Sequence, residues 1–157
     1  MFKSLTDLFK GKPKPPPPLP TLKVDTPIYL IGDIHGCFDL LIQLQNKIEE
    51  DAKTRGITDP VTLYIGDYID RGEQSAQVLH HLFALNTTQP DKHICLKGNH
   101  EKMMLDFLDD PKGRGPRWLK YGGLQTMASF EVGGLSERMD DDDLHDAKID
   151  LRASLPD

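Results

Sequence analysis

Asp33 and His35 alternate in the stretch GDIHG (32–36), directly after the apolar run 27–31. An extended or tightly turned backbone can aim both at one point, and a carboxylate with an imidazole suits Mn, Fe or Zn better than Ca or Mg alone. GDYIDRG (66–72) comes after a second apolar run and adds Asp67, Asp70 and Arg71, and GNHE (98–101) adds Asn99 and His100. Asp67 has two oxygens and can bridge two cations, while Asn99 offers a neutral oxygen. Two metals ~3.5–4 Å apart on such a bridging acid can clamp the attacking and leaving oxygens of a phosphoryl transfer. Arg71 presents a planar fork suited to two phosphate oxygens. His100, beside Asn99 at a helix start, is placed to donate a proton to a leaving alkoxide. Asp70 can accept from His100, fix its orientation and keep it protonated. The glycines let backbone approach ions and phosphate closely.

For these residues to meet, the elements must deliver them to one place. The runs 27–31, 61–65 and 93–97 read as short buried strands. Between and after them, 39–56, 73–85 and 99–110 carry helical spacing. In the first helix Leu40, Leu41, Leu44 and Ile48 share a face, Asp39 is the expected N-cap and Gly56 the stop. In the second, Ala76, Leu79 and Phe83 share a face. This alternation predicts an α/β fold, with parallel strands joined by crossover helices. In such a sheet ligands bind at the carboxyl ends of the strands, so the three polar corners should face one crevice. Each corner alone is an ordinary polar strand end. Three in order, each carrying ligand-type side chains, are not. Past Gly113 the pattern weakens. Asp140 to Asp143 read as a solvated helix start or loop, without the glycine and closing glutamate of a calcium loop, and 144–155 as a modest amphipathic helix.

GDIHG, GDYIDRG and GNHE in this order resemble the signature of the calcineurin-like metallophosphoesterases, in particular the phosphoprotein phosphatase branch that contains serine/threonine protein phosphatases. The resemblance covers about residues 27 to 105, and WLKYGGLQTMASF (118–130) is similar to the next segment of bacterial members. It implies that Asp33, His35 and Asp67 bind a first metal and that Asp67 and Asn99 contribute to a second. It further implies His100 as general acid paired with Asp70, Arg71 as the phosphate-binding residue, and direct attack on phosphorus by a metal-bound hydroxide. The implied fold is the βαβαβα half of a four-layer α/β/β/α sandwich. The family's second half supplies two more metal-ligand histidines and a second sheet. His80, His81, His93 and His145 are not at strand carboxyl ends and are not expected to replace those ligands. The expectation is one tightly held divalent metal, an impaired isolated chain and a partly uncovered apolar sheet face. The substrate would be a phosphorylated protein or a small phosphoester. A dinucleoside polyphosphate hydrolase and a non-catalytic metal-binding remnant are the alternatives. Asp70 and the adjoining EQS (73–75) favour the phosphatase side.

The bulk properties fit this reading. At 157 residues, one domain with a tail is expected. A net charge of −6 provides no basic excess for nucleic acid. Two cysteines, Cys37 and Cys95, make no disulfide framework and read as reduced thiols of a cytoplasmic protein. No run approaches the roughly 20 apolar residues of a membrane helix. Residues 1–21 read as a tail: Phe2, Leu5, Leu8 and Phe9 at helical spacing, then a stretch at 11–20 that holds six of the twelve prolines and reads as an extended spacer. The domain is expected over 22–157.

Overall fold

The computed structural model describes residues 27–134, 136 and 138–156, so the expected tail at 1–21 lies outside the described residues. Three strands, β1 (Ile28–Ile31), β2 (Val61–Tyr64) and β3 (His93–Cys95), form a parallel sheet in the order β1-β2-β3. Ile31 pairs with Tyr64, and Tyr64 with Cys95. The three carboxyl ends are therefore level, and each chain segment leaves the sheet at the same edge. The α/β reading holds, with α1 (Phe38–Thr54) and α2 (Ser75–Thr88) as crossovers and α3 (Asn99–Asp109) after β3.

The sheet has one helix-covered face and one bare apolar face. Tyr29 donates its hydroxyl to Asp51 of α1 at 2.7 Å, and Tyr64, fully buried, receives the Gln45 amide at 2.8 Å. The opposite register carries Ile28, Leu30, Ile65, Ile94 and Leu96, which are 41%, 66%, 50%, 41% and 47% exposed. That uncovered face is the one expected from the sequence.

Two helix faces are corrected. In α1 the inward stripe is Leu41, Gln45, Ile48 and Ala52, and Leu40 and Leu44 point outward. In α2, Val78 and Leu82 are buried while Phe83 is exposed. Nor is Asp39 the N-cap: Cys37 holds that position, because the turn at Gly36 starts the helix sooner. Asp39 still lies in the first turn, where a carboxylate favours the helix dipole. Gly56 does end α1, in the left-handed region at φ +68°, with Gly56 N bonded to Lys53 O and Ile57 N to Ala52 O.

The weakly patterned stretch after Gly113 is in fact helical. α4 (Pro111–Trp118) is capped by Asp110, whose carboxylate accepts from Gly113 N at 3.0 Å, and begins with Pro111 where no N–H is needed. A widened turn, Leu119–Gly123, breaks at Gly122 (φ +110°) and leads into α5 (Leu124–Ser129). α6 (Asp141–Ser154) starts at the acidic run, with Asp140 and Asp143 in a reciprocal capping box. Trp118, Phe107, Met127 and Leu151, all fully buried, tie these helices to the core.

Candidate metal and phosphate site

The first two corners are stitched together by backbone. Ile34 N and His35 N both donate to Asp67 O at 3.0 Å, and Gly36 N donates to Tyr68 O at 2.8 Å. Of the five non-glycine residues at positive φ among the described residues, four lie in these corners: His35, Asp67, Asp70 and Arg71, at +45°, +55°, +72° and +70°. Such residues hold strain that surrounding contacts must enforce. Close glycine contacts do part of this. A side chain at Gly72 would collide with the His35 carbonyl, and one at Gly98 with the Asp67 carboxylate.

Glu101 does more. Its buried carboxylate accepts from Tyr68 N at 2.7 Å, Gly98 N at 2.8 Å and Asp67 N at 2.9 Å. One side chain of α3 thus fixes both the GDYIDRG corner and the start of its own helix.

At the convergence, ligand atoms of His35, Asp67 and His100 lie within 4.8 Å of one another. The His35 ring approaches Ile69 O through Nδ1 at 2.7 Å, which assigns the proton to Nδ1 and leaves the Nε2 lone pair free. Asp33 stands at the open side, largely exposed, with Oδ2 3.9 Å from His35 Nε2. Asp67 Oδ1 accepts from His100 N at 3.1 Å. Asn99 opens α3 and is exposed. Carboxylate and free imidazole donors at this separation fit a divalent transition metal.

His100 is almost fully buried, and its Nδ1 is 2.6 Å from Asp70 Oδ2. Asp70 is wholly buried and also receives the Trp118 indole N–H at 2.9 Å and the Thr126 hydroxyl at 2.6 Å. Burial pushes the Asp70 carboxyl above its ordinary range, against the Thr126, His100 and Trp118 hydrogen bonds that favour the ionised form. Arg71, exposed, brings Nη2 within 3.3 Å of His100 Nε2. A guanidinium only donates, so Nε2 accepts and the ring proton sits on Nδ1, toward Asp70. Gly122 makes room for this arrangement, since a Cβ there would meet the Arg71 backbone and approach Asp70 Cβ to 3.1 Å.

Sequence reasoning brought seven residues to this corner of the fold but assigned no part to Glu101, Trp118 or Thr126. Gly98-x-x-Glu101 has capping-box spacing, and the structure forms half of that box: the Glu101 carboxylate accepts the Gly98 N–H, while glycine has no side chain to return the bond. That signal was available for Glu101. The resemblance at 118–130 includes Trp118 and Thr126 but implied no role for either, and they reach Asp70 across 48 and 56 residues of chain.

Residues 26–150 match the calcineurin-like phosphoesterase family. An uncharacterized protein of Caenorhabditis elegans is 34% identical over 90 residues, which is 54% of this chain and 35% of that protein. The serine/threonine-protein phosphatase PP1-delta of Caenorhabditis elegans is 33% identical over 81 residues, 51% of this chain and 24% of the phosphatase. The matched segments are thus about a third and a quarter of these relatives' lengths.

Proposed function

Because the chain belongs to the calcineurin-like phosphoesterase family, we propose that its site is that of a metal-dependent phosphoester hydrolase of the serine/threonine protein phosphatase type. The observation that carries the reading is a buried proton-holding pair, His100 and Asp70, set beside a guanidinium, with the His100 ring itself close to the metal-type donors of His35 and Asp67. Asp33, His35 and Asp67 would hold a first divalent cation, and Asp67 with Asn99 would contribute to a second. A cation there supplies Lewis acidity toward phosphoryl oxygens and water.

The chain's own residues do the rest. Arg71 leaves His100 Nε2 and turns its fork to two phosphoryl oxygens, drawn by their charge. That exchange frees the Nε2 lone pair to take up a proton from solvent water, and His100 gives that proton to the leaving alkoxide. Asp70 holds the ring and stabilises its charged form, and the Trp118 and Thr126 donors keep Asp70 ionised and aimed.

The test is metal titration with a substrate panel on the 157-residue chain. We expect about one tightly bound Mn per chain, weak release of phosphate from a phosphoserine peptide, and loss of both in Asp67→Asn. Metal binding that survives Asp67→Asn refutes the bridging role. Two tight metals with rapid turnover refute the expectation of impairment. Faster cleavage of a dinucleoside tetraphosphate than of the peptide moves the site to the polyphosphate hydrolases. No helix among the described residues is long and apolar enough to cross a membrane; a cytoplasmic location is part of the proposal.

A further inference from the structure

A cavity of about 770 Å³ opens beside Arg71, between the widened turn at 119–123, α5 and the start of α6. That volume falls in the range of about 300–1,000 Å³ usual for ligand pockets and far exceeds what a phosphate needs. Its walls divide by chemistry. Leu124, Met139 and Leu144 make an aliphatic side, and Lys120 with the half-exposed Tyr121 stands at the rim. Among the described residues, Arg71 and Lys120 are its charged lining residues and no carboxylate lines it, in a chain of net charge −6. Gly122 fixes its position: the turn rests on the Arg71 backbone because that residue has no Cβ. The cavity is therefore continuous with the place where Arg71 would hold phosphate.

From this we infer that the cavity is the leaving-group subsite, and that it takes a phosphopeptide in which a bulky apolar side chain flanks the phosphoserine and an acidic residue lies on the outer side. The inference rests on the hydrolase reading above. The apolar side chain lies against Leu124, Met139 and Leu144, and the acid pairs with Lys120. A nucleotide base suits these walls less well, since among the described lining residues Tyr121 alone offers an aromatic face.

The experiment uses the full chain with Mn and labelled peptides carrying the non-hydrolysable phosphonate analogue of phosphoserine. Binding is followed by fluorescence anisotropy, with inorganic phosphate as competitor. A Leu flank is expected to bind about tenfold more tightly than a Gly flank, the effect of burying most of one aliphatic side chain. Changing the acidic flank from Glu to Gln is expected to weaken binding about two- to threefold, the effect of an exposed ion pair. Lys120→Gln should erase the Glu-to-Gln difference, and Met139→Thr should shrink the Leu-to-Gly ratio. Lys120 is exposed, so its variant keeps the test readable if Met139→Thr fails to fold. Equal binding of the Leu and Gly peptides, with phosphate still competing, overturns the subsite and leaves the hydrolase reading standing. Tighter binding of a dinucleoside tetraphosphate than of either peptide also overturns the subsite. Failure of phosphate to compete overturns the hydrolase reading itself and this inference with it.

Discussion

Glu101→Gln should weaken the fold and the metal site together. The wild-type carboxylate accepts three backbone N–H groups: Oε2 takes those of Asp67 and Gly98 at 2.9 and 2.8 Å, and Oε1 that of Tyr68 at 2.7 Å. A glutamine has one acceptor oxygen, so its amide group must face at least one of these donors. With its oxygen at the Oε2 position it keeps two bonds, now neutral, and opposes the Tyr68 N–H. Bonds to a charged acceptor contribute about 1.5–3 kcal/mol against about 0.5–1.5 for neutral ones. Losing one and weakening two costs about 3–5 kcal/mol, a large part of the ~5–15 kcal/mol that holds a domain together. Asp67 and Tyr68 are the residues released, and Asp67 sits at φ +55°. Freed from the clamp it relaxes, and Mn affinity should fall at least about tenfold, equivalent to ~1.4 kcal/mol. Urea unfolding followed by Trp118, the only tryptophan and fully buried, measures the first effect. Calorimetric Mn titration of the folded variant measures the second. A variant within about 0.5 kcal/mol of wild type and with unchanged Mn affinity refutes the clamp.

Asp70→Asn should lower single-turnover phosphate release by about 10²–10⁴, the usual worth of an oriented general acid, while Mn stoichiometry stays the same; a variant that loses metal instead places the pair among the ligands. Gly122→Ala puts a Cβ at φ +110° against the Arg71 backbone, and should cost about 1–3 kcal/mol and weaken phosphate competition, whereas unchanged phosphate affinity disconnects the turn from Arg71. A part-buried chain runs from His81 through Gln45 and Tyr64 to His93, and partial burial lowers the pKa of both histidines. Their neutral forms stabilise the fold above about pH 6.5, the unfolded value, and that contribution is lost as pH falls from there through the lowered folded values. Urea midpoints should drop over that window, by up to about 1.4 kcal/mol per pH unit for each histidine, and His93→Gln should flatten the drop; an unchanged slope in that variant refutes the assignment.

The sequence carried the sheet and its three corners because strand, glycine and ligand residue are neighbours in the chain. Asp33 with His35 and Asp70 with Arg71 are local statements, and parallel strands bring local statements to one edge without further information. What could not be read has the opposite character. Leu40 and Leu44 look as apolar as Leu41, and only packing against Tyr64 decides that Gln45 shares the inward stripe. α4 carries two glycines and an internal proline, Pro116, so its propensity is poor, and the buried Trp118 holds it in place. Trp118 and Thr126 support Asp70 from a segment whose resemblance to the family implied no role for them, because one donor hydrogen bond asks only that the right atom arrive.

This division explains why WLKYGGLQT belongs with GDYIDRG although neither string contains a ligand for the other's chemistry. Asp70 and Arg71 both sit in the left-handed region, which a non-glycine chain leaves unless something holds it there. The hold comes from two sides. α3 supplies His100 to the Asp70 carboxylate and Glu101 to the backbone before it. The segment after α3 supplies the Trp118 and Thr126 donors, a hydroxyl that receives Asp70 N at 2.9 Å, and at Gly122 a backbone without a side chain under Arg71. The buried acid is thus the fixed point. It cannot shift without breaking bonds to three elements, and Arg71, one residue on, is exposed and free to exchange His100 for an anion. A rigid buried pair next to an exposed cation is what the proposed leaving-group acid and phosphate clamp would require of adjacent residues, and on that proposal it accounts for two acids and an arginine in one seven-residue loop.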